Sequence, residues 1–433
     1  MTKYKKYKSS DIEWIGEIPE HWEVKKTKYC FIYTTGFTPP TGESKYFNDD
    51  HIWVTISDIN QKFISESYTK LSLEAIQRFK PSLTSKGSLL FSFKLSIGKV
   101  AFATTDLYTN EAILSIKPGH NFNLNLFYYS LSNQLLMNAN ENIYGAKLLN
   151  QELIRNAVII FPPLPEQTQI ANYLDHKTAQ IDDLITKKQQ LIKLLEEEKT
   201  AVINEAVTKG INPNVKLKDS GIEWLGKIPA HWEVKRLKYK THINSNKLSE
   251  NTDENFQMKY IDIGSVTYGE LKEEAEDLLF KNAPSRARRI INDGDTLIST
   301  VRTYLKAILF IRSAESNLIA STGFAVITPQ ENFHPNYLFY ILSSEAILQK
   351  ITANSVGVSY PAINPTVIGM FNIWFPEKEE QIELVNHIEK ETTRIDKTIA
   401  TTKKMIELLK EYRTALISEA VTGKIKVFED KEL

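Results

Sequence analysis

Residues 10–29, SDIEWIGEIPEHWEVKKTKY, return at 220–239 as SGIEWLGKIPAHWEVKRLKY, with 14 of the 20 positions identical at a constant offset of 210. A second block, 161–211, opens FPPLPEQTQIANYLD and closes TAVINEAVTKGI. It returns at 375–425, opening FPEKEEQIELVNHIE and closing TALISEAVTGKI, at an offset of 214. Between these blocks lie two stretches that barely resemble one another. The chain therefore reads as an opening framework segment (1–29), a variable domain (30–160), a central framework long helix (161–211), a second opening segment (212–239), a second variable domain (240–374) and a C-terminal framework long helix (375–433). A duplication that kept its frame and let the contents diverge points to two different surfaces presented in one fixed relative geometry.

Composition bounds the rest. At 433 residues, with 42% hydrophobic and 24% charged, the chain is long enough for two to four domains with sizeable cores and is neither fibrous nor disordered. A single cysteine, Cys30, excludes an internal disulfide and a cysteine-rich zinc site, which fits a reducing cytosol. No apolar run approaches a membrane span and no apolar signal segment follows the lysine-rich start, so a cytoplasmic protein with no membrane partner is expected. Basic and acidic residues balance at 53 each, so any nucleic-acid surface must come from charge sorted to one side. Lys25, Lys26 and Lys28, their counterparts Lys235, Arg236, Lys238 and Lys240, and the group Arg286, Arg288 and Arg289 show some sorting. Solvated surface lysines explain such clusters equally well.

From about 166 to 208 there is neither proline nor glycine, and Ile170, Leu174, Ile181, Ile185, Leu191, Leu195, Val202 and Ala206 recur at helical spacing. Pro162, Pro163 and Pro165 mark the start, and Gly210 lies just past the end, where a left-handed cap costs little. The copy repeats this after Pro376, with Ile388, Ile395, Ile399, Ile406, Leu409, Leu416 and Ala420 as its stripe and Gly423 as its stop. A helix of that length spans about 65 Å and cannot bury its own stripe. Mutual antiparallel packing of the two helices is the economical solution, a groove for a partner protein the alternative, and Lys177 and Lys188 interrupt the seam.

The variable segments read as mixed α/β. In the first, 51–59, 88–93, 100–104 and 112–116 are strand-like and 124–138 helical; in the second, 258–263, 295–300, 307–311 and 324–327 are strand-like and 335–351 helical. The same order on different sequences predicts one fold with two specificities.

These residues resemble the specificity subunit of type I restriction-modification systems over nearly the whole chain. The resemblance rests on Ile-Pro-x-His-Trp at 18–22 and 228–232, Gly-x-Thr-Pro at 36–39, Trp-x-Thr-Ile-x-Asp at 53–58, and Pro-Pro-Leu-x-Glu-Gln-x-x-Ile-Ala at 162–171. Glu-Ala-Val-Thr, followed by glycine, closes both long helices at 205–210 and 419–423. The resemblance implies an α+β architecture: two mixed α/β target recognition domains joined by two long antiparallel coiled-coil helices, with internal pseudo-two-fold duplication. It implies that each domain reads half of a split double-stranded DNA site, that the helices set the gap between halves, and that two methyltransferase subunits bind the frame with motor-nuclease subunits joining for cleavage. Cofactors would follow those partners: S-adenosylmethionine, ATP and Mg2+ on them, none on this chain. The second half departs from the pattern, with THINSNK at 241–247 in place of the Gly-x-Thr-Pro turn and PEKEEQ in place of PPLPEQ. That puts residue-by-residue equivalence of the two domains in doubt.

Base readout needs side chains that reach base edges, with lysines on phosphates fixing register. Loop residues flanking the strands are the candidates: Thr38, Ser57, Lys94, Ser96, Lys99, Tyr144 and Lys147 in the first domain, and Arg302, Thr303, Tyr304, Ser321 and Tyr360 in the second. Catalysis finds little support. The nearest approach to an adenine methyltransferase motif, Asn364-Pro365-Thr366-Val367, lacks the second proline and the aromatic residue, and no phosphate-cradling G-x-x-x-x-G-K-[ST] loop occurs. A metal-dependent nuclease set could be drawn from Asp262, Glu270 and Lys272, a pattern common by chance. His21, His231, Trp14 and Trp224 are expected to pack at the framework. A free-standing two-headed DNA-binding or scaffold protein without methyltransferase partners is the alternative reading.

Overall fold

The computed structural model describes residues 2–428, apart from the side chains of Asn48 and Asp49; Met1 and positions 429–433 of the expected C-terminal segment lie outside the described residues. The chain divides into two compact units, Met1–Lys188 with Lys404–Leu433, and Gln189–Lys403. Each unit holds one variable domain and a part of both long helices.

Those helices run Leu164–Lys209 and Lys378–Val421, and each stops at a glycine with positive φ, Gly210 (+75°) and Gly423 (+73°). Within each unit the two helix portions pack antiparallel. In the first, Arg413 donates from Nε and Nη2 to the Asp182 carboxylate at 2.9 and 3.2 Å, above a seam of Leu174, Ile181, Leu416 and Ala420. In the second, Lys199 pairs with Asp396 at 2.7 Å and Arg394 with Glu198 at 2.7 Å, around Leu195, Ile395 and Ile399. The expected stripe holds with one correction: Leu191 is exposed, and Ile192 packs against the cluster instead. Steps of three and four from Ile181 through Ile185, Lys188, Ile192, Leu195, Lys199 and Val202 define the seam, and Leu191 falls outside it. Lys188 sits on that seam and donates to Met405 Sδ at 3.3 Å.

Both variable domains build their main sheet in one order. In the first, Tyr33–Thr35, Ile113–Ile116, Leu89–Ser92 and Val100–Ala103 are neighbours, extended by Phe63–Ile64; in the second, Thr241–Ile243, Phe324–Pro329, Thr296–Ser299 and Ile308–Phe310. A second sheet contains a parallel pair in each: Tyr108–Thr109 beside Phe47–Val54, and Leu318–Ser321 beside Gln257–Ile261. The strand expected over 51–59 ends at Val54, because Asp58 Oδ2 accepts from both the backbone N and the hydroxyl of Thr55 and folds the chain into a turn. The helix expected over 335–351 is two, Pro335–Leu342 and Glu345–Ala353. Hydroxyls of Ser343 and Ser344 donate to the carbonyls of Tyr340 and Ile341, at 3.2 and 2.6 Å, and interrupt the backbone ladder there. Its counterpart, Leu124–Met137, has no such pair and stays continuous.

The duplicated His-Trp motif is a clasp. Trp22 Nε1 donates to Glu166 Oε2 at 2.9 Å while His21 Nε2 lies 2.5 Å from Oε1; Trp232 Nε1 donates to Glu380 Oε1 at 3.1 Å while His231 Nε2 lies 2.6 Å from Oε2. The two histidines are half-exposed hydrogen-bonding residues rather than packing residues, and Trp224 is substantially exposed, its ring edge-on to Trp374. The next residue of each helix, Gln167 or Gln381, is buried and bridges outward. Gln167 accepts from Asn123 N at 2.8 Å and donates to the Pro162 carbonyl; Gln381 accepts from His334 N at 2.9 Å and donates to the Pro376 carbonyl. The Glu-Gln pair shared by PPLPEQ and PEKEEQ thus does the same work in both halves. About two turns further on, Asp175 takes Lys62 and Tyr129, and Glu389 takes Arg312 and Asn336, tying each variable domain to its own helix.

Candidate nucleic-acid interface

In the first unit, hydrogen bonds gather four loops at one end of the sheets. Phe93 N donates to the Ala112 carbonyl, Asn110 N to that of Val54, Phe37 N to that of Thr109, each at 2.9–3.0 Å, and Lys99 Nζ to that of Ile56 at 3.0 Å. Gly36 makes the crossing possible: a Cβ there would meet the Thr109 carbonyl oxygen at 1.9 Å. Thr38, Ser57, Lys94, Ser96 and Lys99 all lie in this cluster. Thr38 donates its hydroxyl to Glu111, Ser57 shares a hydrogen bond of 2.7 Å with Thr55, and the Ser96 carbonyl accepts from the Ser92 hydroxyl. Lys94 is exposed, its ammonium 5.7 Å from the Phe93 ring. Tyr144 and Lys147 stand apart on the hairpin formed by Asn140–Glu141 and Lys147–Leu148, where Tyr144 is exposed at the tip and Lys147 pairs with Glu141 at 2.6 Å.

The second unit assembles a matching cluster. Thr300 N donates to the Gly323 carbonyl, Thr322 N to that of Arg286, and Ile363 N to that of Thr300, at 2.8–2.9 Å. Asn244, in the left-handed region at φ +57°, stands after the first strand of the sheet as Gly36 does. Its N donates to the Val326 carbonyl and its Oδ1 accepts from Val326 N, both at 2.9 Å. Asparagine tolerates that conformation, so THINSNK supplies the sharp exit without a Gly-x-Thr-Pro turn. Arg302, Tyr304 and Tyr360 are exposed here, with the Arg302 guanidinium 4.8 Å from the Tyr360 ring centroid. Thr303 and Ser321 are corrections: both are buried. Thr303 shares a hydrogen bond of 2.7 Å with Ser355, and Ser321 Oγ accepts from Gly323 N at 3.3 Å, so they hold loops in shape instead of facing outward.

Two features went unread in the sequence. Leu95 is 91% exposed at φ +57°, and Val356 and Val358 stand out on the loop that carries Tyr360. The signal lay in the serine that ends the equivalent strand, Ser92 or Ser299, with Leu95 and Arg302 each three residues beyond it. The Asp262–Glu270–Lys272 set has other uses. Asp262 accepts from Tyr260 Oη at 2.8 Å and from Gly264 N, and Lys272 N donates to the Ser265 carbonyl. Among the described residues no three His, Cys, Asp or Glu side chains group to hold a metal ion, and no helix is long and apolar enough to cross a membrane.

The sequence model described as the type I restriction modification DNA specificity domain matches residues 19–194 and again 229–411. The chain belongs to that family. Among relatives, it is 24% identical over 457 residues to the type I restriction enzyme MjaIX specificity subunit of Methanocaldococcus jannaschii, covering 99% of each chain. It is 25% identical over 423 residues to the MjaVIII specificity subunit of the same organism, covering 95% of this chain and 94% of the other. The fold matches a chain from a structure of a type I restriction-modification system undergoing assembly and conformational transition, with TM-score 0.69, 14% identity, and coverage of 94% of this chain and 99% of that one. The HsdS subunit from Thermoanaerobacter tengcongensis gives TM-score 0.60 at 16% identity, with 94% and 98% covered. The chain is thus a type I specificity subunit in which the specificity domain occurs twice, and its function is recognition of DNA sequence.

Proposed function

We propose that this specificity subunit reads a split, asymmetric double-stranded DNA site, one variable domain per half, and performs no chemistry itself. Its partners would be two methyltransferase subunits carrying S-adenosylmethionine and motor-nuclease subunits using ATP and Mg2+, assembled in the cytoplasm. The observation that carries the reading is a loop platform built twice, with different side chains exposed on each copy: Lys94 and Leu95 on one, with Tyr144 on the hairpin apart from it, and Arg302, Tyr304 and Tyr360 on the other. Two platforms of unlike chemistry select unlike base edges, so the half-sites differ. Thr38, Ser57, Ser96 and Lys99 sit beside the first platform, and Lys147 on the adjoining hairpin, as secondary contacts. Thr303 and Ser321 support the second from beneath.

The test is to map methylated adenines in a host carrying the chain with its methyltransferase, before and after exchanging residues 30–160 for another domain of the family. A split motif that changes in one half alone is expected. A motif that changes in both halves would refute one domain per half-site. No motif, with the methyltransferase expressed, would favour a free-standing binding protein.

A further inference from the structure

The two platforms share one strained position. Leu95 and Arg302 both lie in the left-handed region, at φ +57° and +50°, each three residues after the serine that ends the corresponding strand, in loops that differ in length by one residue: Ser92 N donates to the Lys99 carbonyl and Ser299 N to that of Ala307, both at 2.9 Å. Side chains other than glycine and asparagine occupy that region at a cost, and they persist there only where the surroundings impose it. Here they do. Around Arg302, Ser299 Oγ donates to the Val301 carbonyl at 2.8 Å, Thr303 is hydrogen-bonded to Ser355, and Val301 and Val356 each bridge Ala362. The backbone is therefore held so that residue 302 projects beside the loop that carries Tyr360.

Apart from Lys94, whose ammonium is 5.7 Å from the Phe93 ring, the lysines of these loops and the adjoining hairpin are otherwise engaged. Lys99 is bonded to the Ile56 carbonyl, Lys147 to Glu141, and Lys306 to both oxygens of Glu345 at 2.6 and 2.9 Å. Arg302 differs: no ion pair holds it among the described residues, and its guanidinium lies against an aromatic ring that is itself exposed. A guanidinium resting on a ring loses rotational freedom while its N–H groups stay available at the rim, the arrangement that suits two parallel hydrogen bonds to one planar acceptor pair. In a duplex the major-groove edge that offers two such acceptors is guanine, through O6 and N7.

We infer that Arg302, oriented by Tyr360, is a specificity-determining residue that reads a guanine in the half-site of the second domain. The equivalent Leu95 gives the first domain an apolar contact at that position, of the kind that meets a thymine methyl. This rests on the reading of one domain per half-site. It adds a named residue, a named base and an expectation of unequal chemistry at equivalent positions.

The experiment uses the chain co-expressed with its methyltransferase. Methylated adenines are mapped for wild type, Arg302→Gln, Arg302→Lys and Tyr360→Ala. Glutamine pairs with adenine, so Arg302→Gln is expected to replace or relax one guanine in a single half-site and leave the other half intact. Arg302→Lys should keep the guanine with weaker modification, and Tyr360→Ala should weaken discrimination at that same position alone. An unchanged motif in Arg302→Gln would overturn the inference. If Arg302→Gln abolishes methylation, binding of the purified complexes to duplexes with that guanine replaced by 7-deazaguanine decides. Wild type should lose roughly tenfold to a hundredfold in affinity, and Arg302→Gln should be indifferent to the replacement. Equal losses in both would overturn the inference. Failure of the wider reading looks different, because the wild-type complex would then yield no split motif.

Discussion

At the start of one long helix Glu166 holds Trp22 and His21, and at the start of the other Glu380 holds Trp232 and His231. At the loop tips the correspondence ends: Leu95 and Arg302 share a left-handed backbone conformation three residues after the same strand, in loops that differ in length by one residue. The contrast separates two kinds of constraint. The clasp buries an indole and satisfies its N–H with a carboxylate, and few residue combinations do both. A loop tip facing solvent makes no such demand on its side chain, so it is free to differ wherever the backbone beneath it is held.

If the frameworks are equivalent, removing either tryptophan should have the same effect. Trp22→Ala and Trp232→Ala, which empty fully buried sites, are each expected to cost about 3–5 kcal/mol, measured by urea unfolding. Values differing by more than about half would break the comparison. The helix-stop glycines should sharpen it, because their surroundings differ. A Cβ on Gly423 would meet Pro19 Cδ at 2.5 Å and the Trp22 ring at 3.0 Å, whereas on Gly210 the nearest atom, on Trp232, is 3.6 Å away. Both positions have positive φ, so Gly210→Ala should cost about 1 kcal/mol from backbone strain, and Gly423→Ala about 3 kcal/mol once overpacking is added. Equal losses would show that the backbone term dominates at both.

The smallest effect concerns Asn123 and His334, which occupy the same place beside Gln167 and Gln381. Burial holds the His334 imidazole below its ordinary range; Glu389 opposes the shift and Lys378 adds to it. The unfolded chain, titrating near pH 6.5, then takes up the proton first on acidification, so the contribution to stability is complete above that pH and is lost as pH falls below it. His334→Asn, which installs the residue of the first unit, should remove this acid sensitivity. It should also add a helix cap worth about 1 kcal/mol, because His334 precedes a helix without capping it while Asn123 Oδ1 accepts from Asn125 N. Thermal midpoints of wild type and variant at pH 5 and 7.5 check both effects. A difference that does not change with pH would place the titration elsewhere.

The long helices were readable in the sequence because a stripe of apolar residues, a proline run and a terminal glycine are local signals, and the observed bounds lie within two residues of those expected for the first helix. Four strands of each variable domain were readable too, whereas Tyr33–Thr35, Thr241–Ile243 and Leu318–Ser321, three or four residues long, were not. Leu191 was misplaced because three- and four-residue steps can be laid along a helix in more than one way, and only the facing helix selects Ile192. The break at Ser343–Ser344 escaped because serine is compatible with a helix until its hydroxyl finds a carbonyl.

Among the candidate contacts, Thr303 and Ser321 were indistinguishable from exposed loop residues by type, and burial alone removes them from the surface. The pairing of Arg302 with Tyr360, 58 positions apart, needs the bridges through Ala362 to exist. By itself the sequence determined the duplication, the helical frame and the two-domain plan, since these follow from periodicity and identity along one chain. Tertiary structure decided which side chains face solvent and which carboxylate each duplicated tryptophan meets, because those depend on distances between segments that sequence spacing does not encode.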